Sequence, residues 1–307
     1  MHRGWPGRRH HYPLHIRPER RSTSPCGTCR RPCPGARSAG AGTARRYCRA
    51  CACLVGGCKP TTGDGAVTPF AEIFAVAAKR KGGPEALEQI LSKTASRSPS
   101  EIAAIQDDRI LAEMTRRIFY AGFSSKVIDD KWPAFEKGFG GFDPNACAFV
   151  SEEQFDRLMQ DRGIVRNGAK IKSVQINAQF VLALKADHGS AARFFADWPD
   201  TDYVGLLDVL KKRASHLGGD AAGRFLRAIG KPAFIASPDM VAALMREGVI
   251  DRPPSGKRDL GIVQAAFNHW SGESGRDLTA ISRVLAMSVD SGGGAALGAR
   301  SGRRQPA

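Results

Sequence analysis

From Pro69 to about Asp290 apolar residues recur every three or four positions, and nowhere in that span do they alternate convincingly with period two. A chain patterned in this way buries its apolar stripes by packing helix on helix. One stripe, Leu111, Met114 and Ile118, follows the acidic start Asp107-Asp108; a longer one runs Ile171, Val174, Ala178, Val181. Others are Ala222, Phe225, Leu226, Ile229; Val241, Leu244, Met245; Leu260, Val263, Phe267, Trp270; and Leu278, Ile281, Leu285. The breaks between them carry helix-stopping residues: Gly141-Phe142-Asp143-Pro144, Asp187-His188-Gly189, Gly230-Lys231-Pro232 and Arg252-Pro253-Pro254. The fold class expected is all-α, with one domain over residues 67–290.

Outside that span the composition changes. Seven of the eight cysteines lie between Cys26 and Cys58, in a stretch rich in Arg, Gly and Pro that has hardly an aliphatic run. Such a segment cannot bury enough apolar surface to offset ordering entropy, so residues 1–66 are expected to be a disordered basic extension. Cys26, Cys29, Cys48 and Cys51 do have the paired spacing of a zinc ribbon. Three further cysteines are left over, however, and the alternating apolar residues of a ribbon's strands are missing, which argues against zinc there. The abrupt change at Val67 also fits a native chain that starts there. Residues 291–307, Gly-rich then Arg-rich, are expected to be a disordered tail.

The net charge of +16 invites a nucleic-acid reading, but it belongs mostly to these ends: the first 65 residues carry +11 and the last 17 carry +3. A nearly neutral domain holds a polyanion only through local backbone amides and a few placed cations. No apolar run approaches the roughly 18 residues needed to span a bilayer, which excludes a membrane helix. The basic start has no apolar core behind it to make a signal peptide, and one lone thiol in the domain, Cys147, suits a reducing cytoplasm.

Leu217-Gly218-Gly219-Asp220-Ala221-Ala222-Gly223 lies between two helical segments, 203–214 and 221–229. A tight glycine turn that opens a helix exposes unpaired N–H groups and the positive end of the helix dipole, which together hold a phosphate without any Lys or Arg. The backbone of Leu217, Gly218, Gly219 and Ala221 is the candidate phosphate site, since a Cβ at the glycines would keep the phosphate away. About ten residues after the second segment comes Ser237-Pro238-Asp239, leading into a helix expected near Met240. Helix capping alone accounts for it: Ser at the cap, Pro first, Asp complementing the dipole.

Hairpin, second helix, Gly/Pro loop and Asp in this order resemble the helix-hairpin-helix DNA glycosylase superfamily. Upstream, Glu113-Met114 through Ala121-Gly122-Phe123-Ser124, then Phe135, Phe139, Gly141-Phe142-Asp143-Pro144, Gly163-Ile164-Val165-Arg166-Asn167 through Lys170-Ile171, and Asn177-Ala178 are similar to the bacterial 3-methyladenine DNA glycosylase I family. The chain departs from that family at several places. Arg117 stands where the family has a pocket Glu, and Ser125 where it has a pocket Trp. With no cysteine after Cys147, the family's structural zinc site cannot form. Gly218 replaces the hairpin's usual Pro, and Ala221 its second Gly. Gly223 occupies the place where lyase-active members carry a Lys, which argues against a Schiff-base lyase step.

The resemblance implies a monofunctional DNA N-glycosylase, without cofactor, that flips a damaged purine out of duplex DNA and hydrolyses it off, working as a monomer. It assigns Asp239 as the carboxylate that supports the cationic sugar and the attacking water. Arg117, Phe119, Tyr120, Ser125 and Trp132 are candidates for the base pocket. Arg166, Asn167, Lys170 and Lys172 are candidates for contact with phosphates, or simply a solvated helix end. A pocket Arg117 would repel a cationic alkylated base. A monovalent ion at the hairpin is left open. The altered pocket also leaves room for a second reading, a non-catalytic helix-hairpin-helix protein that binds damaged DNA without cutting the glycosidic bond.

Overall fold

The computed structural model describes residues 67–290, and the all-α expectation holds: those residues form fourteen α-helices and two 3-10 turns, with no strand among them. In chain order the helices are α1 (Phe70–Lys81), α2 (Pro84–Ser92), α3 (Pro99–Ala103), α4 (Asp107–Tyr120), α5 (Ser125–Gly138), α6 (Pro144–Cys147) and α7 (Glu152–Gln160). They continue as α8 (Gly168–His188), α9 (Ala191–Asp197), α10 (Tyr203–Arg213), α11 (Asp220–Ala228), α12 (Pro238–Arg246), α13 (Lys257–Ser274) and α14 (Leu278–Met287). The readings made for residues 1–66 and 291–307, zinc at Cys26, Cys29, Cys48 and Cys51 included, lie outside the described residues.

Local chemistry starts these helices where they start. Ser98 and Glu101 form a reciprocal capping box on α3. Asn167 caps α8, Asp202 caps α10 and Asp277 caps α14, each side chain accepting a backbone N–H of the first turn. Ser237 accepts from the Met240 N–H with Pro238 in the first helical position, so α12 begins two residues earlier than the apolar pattern alone indicates.

Two groups of helices share one buried core. In the first, α4 packs along α8, α5 lies on α4, and α9 packs on α3 and α8. In the second, α14 packs on α1, α12 and α13, and α10 lies on α13. The start of the described chain is tied into this second group: Trp270, fully buried, donates its indole N–H to the Thr68 carbonyl at 2.9 Å, and the Phe70 N–H meets the Glu273 carboxylate at 3.1 Å. Helix α11 bridges the groups, packing on α4 from one side and α10 from the other.

What fixes α11 is a buried polar contact behind it. The Tyr203 hydroxyl, at the start of α10, donates to the Phe234 carbonyl at 2.8 Å, so the loop leaving α11 is held to the helix that precedes it. Burial pushes the Tyr203 phenol above its usual range, which favours the neutral donor form. Tyr203→Phe should cost about 1–3 kcal/mol, because it leaves a buried carbonyl without its donor while hardly altering volume. Urea denaturation should show a lowered midpoint with an unchanged slope.

Candidate functional site

The hairpin is where the sequence puts it. Helix α10 ends at Arg213 and α11 opens at Asp220 with Gly219 as its cap residue, at φ 57° and ψ −134°, a conformation L side chains rarely adopt. No side chain caps α11, so its first N–H groups are available to an external acceptor. Leu217 is fully buried and anchors the turn, Gly218 and Gly219 are exposed, and Ala221 is half-buried.

The turn is braced from α8. Asn177, completely buried, accepts the Ser215 N–H at 2.7 Å and donates to the Ser215 carbonyl at 3.1 Å. Its amide thus satisfies one residue's whole backbone hydrogen-bonding capacity, which holds the turn in one register. The sequence marks Asn177 only through family likeness; the brace itself spans 38 residues of chain and has no local signal.

Gly223 explains how closely α11 sits. A Cβ there would lie 2.9 Å from the Tyr203 hydroxyl and 3.2 Å from the Phe234 carbonyl. The position faces the interior, so a lysine has no room in this packing, in keeping with the sequence argument against a lyase step.

Between the helix groups lies a cleft of about 760 Å³. Arg117, Tyr120, Ala121, Phe123 and Ser125 line one wall; Asp220, Ala221, Arg224, Arg227 and Ala228 of α11 line the other, with Ile235 beside them. Three of the five base-pocket candidates therefore meet the hairpin residue Ala221 in one cavity. The α4 wall is charge-compensated. Arg117 donates through Nε to Glu113 at 2.5 Å, and its guanidinium lies 5.0 Å from the Tyr120 ring centre. The Tyr120 hydroxyl donates to Asp129, and burial together with that bond raises its pKa. Lys170 donates to the Ala121 carbonyl and stands 4.7 Å from the Phe123 ring, so it holds the rim of the cleft; burial lowers its pKa. Of the other phosphate-contact candidates, Asn167 is spent on capping α8, while Arg166 and Lys172 are exposed.

Two aromatics stand elsewhere. Phe119 is fully buried, edge-on to Phe135 at 4.7 Å, and belongs to the core. Trp132 stacks on Phe135 and Phe142, with Arg116 4.2 Å above its ring and Glu136 accepting its indole N–H at 2.9 Å. It lines a neighbouring hollow with Glu113 and Arg116 rather than the cleft. Aromatics at helical spacing serve the core first, and here that use takes both.

Asp239 lies in the first turn of α12, half-buried, and is not among the residues lining the cleft. The acid on the cleft wall is Asp220, which sequence reasoning passed over together with Arg224 and Arg227. Their spacing held a usable signal: Asp220, Arg224 and Arg227 fall at i, i+4 and i+7, one face of the second hairpin helix.

Residues 102–206 match the methyladenine glycosylase family. The match takes in the α4–α5 wall of the cleft and ends within α10, before the hairpin turn, α11 and Asp239. Among solved structures, the chain is similar to a 3-methyladenine DNA glycosylase I at 25% identity, covering 41% of this chain and 79% of that one with a TM-score of 0.36. It is also similar to the 3-methyladenine DNA glycosylase I of Staphylococcus aureus, at 23% identity, 41% and 77% coverage and a TM-score of 0.37. The assignment rests on the family match.

Asn177→Ala should destabilise the domain by about 1–3 kcal/mol, since it strands both backbone groups of Ser215. Hydrogen exchange should then show faster opening confined mainly to residues 214–219.

Proposed function

We propose that this protein is a monofunctional DNA N-glycosylase of base-excision repair that turns a damaged purine out of the duplex into the α4–α11 cleft. One observation carries the reading: the family-matched wall, with Arg117, Tyr120 and Ser125, faces the first turn of the hairpin's second helix across a single cavity. A hairpin that grips the backbone by its N–H groups thereby stands beside a space able to receive a base. The glycosidic bond is unreachable inside the stack, so extrusion must come first.

Cleavage develops positive charge on the sugar, and a carboxylate nearby both offsets that charge and orients or deprotonates the incoming water, work worth about 10²–10⁴ in rate. The proposed carboxylate is Asp239, from its place in the hairpin–helix–loop–Asp order. Asp220 is its rival by geometry, as the acid on the cleft wall. The two are separated by one assay: release of free modified bases from alkylated and deaminated duplexes, with DNA affinity measured in parallel. Asp239→Asn should lower release by at least a hundredfold with affinity retained, and Asp220→Asn by less than tenfold. The reverse pattern would move the role to Asp220.

A second reading, the non-catalytic binder, is favoured by the same fact that Asp239 does not line the cleft. Duplex binding without release in the wild type would support it.

Arg117 supplies a specificity test. Its charge is offset by Glu113, yet the guanidinium still stands at the wall where a cationic base would lie. Arg117→Glu should raise release of cationic methylated purines relative to neutral modified purines by about tenfold or more, as expected for exchanging a repulsion for an attraction of about 1.4 kcal/mol in a partly buried site.

A further inference from the structure

The two walls of the cleft differ in how their charges are balanced. On α4, Arg117 has Glu113 at 2.5 Å. On α11, Arg224 and Arg227 stand one turn apart and both line the cleft, but their counter-charges are poor. Arg224 has only a long contact of 3.9 Å to Asp220, with both side chains more than half exposed, a geometry that contributes little in water. Arg227 has no carboxylate within ion-pair distance among the described residues. It is held by neutral groups, the Ala233 carbonyl at 2.8 Å and the Ser282 hydroxyl at 3.2 Å, and its Nε is buried with no hydrogen-bond partner.

A third arginine backs these two. Arg283, next to Ser282 on α14, lies close enough for its charge to act on Arg227, and its own Nη1 is buried without a partner. Burial lowers the pKa of both Arg227 and Arg283; at Arg227 Tyr203 opposes this, Arg283 and Arg224 add to it by smaller amounts, and Asp277 opposes it least. Guanidinium groups do not give up their protons at ordinary pH, so the cluster keeps its charge and bears the desolvation. Like charges gathered in partial burial are costly unless an anion offsets them, and a phosphate does so with charge-assisted, bidentate hydrogen bonds.

We propose that Arg224 and Arg227, backed by Arg283, bind a phosphodiester of the strand that delivers a nucleotide to the cleft, so that base and backbone phosphate are received on opposite walls. This inference rests on the glycosylase reading above and adds to it a backbone contact separate from the hairpin N–H groups. It makes the second hairpin helix bifunctional: its first turn offers backbone donors, and its cleft face offers side-chain donors one and two turns on.

The test uses the full chain and duplexes carrying one central tetrahydrofuran abasic analogue, with a neutral methylphosphonate substituted at one linkage at a time. Wild type should lose about tenfold in affinity when one linkage adjoining the analogue is neutral, the size expected for a charged hydrogen bond. Arg224→Gln and Arg227→Gln should bind the all-phosphate duplex more weakly, lose less than twofold on neutralising that same linkage, and show a salt dependence reduced by about one phosphate. Arg224 is exposed and makes no buried contact, so its variant reports even where Arg227→Gln fails to fold. Equal losses in wild type and Arg224→Gln at every linkage would overturn the proposal and leave the glycosylase reading standing. No duplex binding by wild type would overturn both.

Discussion

The candidate site depends on where α11 sits, and α11 sits where Gly223 allows. With no Cβ at that position, the helix comes within contact distance of the Tyr203 hydroxyl and the Phe234 carbonyl, which are themselves joined by a buried hydrogen bond. That one close approach does three things. It ties α10, α11 and the loop after them into a unit, brings the first turn of α11 to the cleft, and leaves its other face to pack on α4. A larger residue at 223 would push α11 away from Tyr203 and Phe234 and move the hairpin relative to the wall matched by the family.

Around that unit the polar groups are spent unevenly. The hairpin turn is satisfied from α8 by Asn177, and on the α4–α5 wall Glu113 offsets Arg117 while Asp129 accepts the Tyr120 hydroxyl. The α11 wall keeps one buried donor without a partner, Arg227 Nε, and weakly compensated charge at Arg224. Folding tends to remove such features when they serve nothing, because a buried donor left unmade costs about 1–3 kcal/mol. Two arginines lining one wall with so little counter-charge are better explained by a ligand than by packing. It also shows why the net charge of the chain is a poor guide here: what matters is which arginines lack carboxylates.

Much of the fold was legible in sequence, because apolar spacing and breakers report local geometry directly. The stripes at Leu111–Ile118 and Ile171–Val181, and the glycine turn at Gly218-Gly219, all fall on the helices and hairpin observed. The site was legible in part. Arg117, Tyr120, Ser125 and Ala221 share the cleft, whereas Phe119 and Trp132 serve the aromatic core and Asp239 stands off the cleft wall. These placements have a common origin. Whether an aromatic faces a core or a cavity, and whether an arginine finds a carboxylate, is settled by contacts across tens of residues that periodicity does not encode.

On the proposed reading, the α4–α11 cleft receives the extruded base. The most direct measurement is photo-crosslinking from a single photoreactive purine in a duplex, with the crosslinked peptide identified by mass spectrometry. The account predicts crosslinks within residues 117–125, on the wall that carries Arg117, Tyr120 and Ser125, and their loss when excess duplex bearing an abasic analogue competes. Crosslinks confined to another face of the domain, with binding intact, would contradict it.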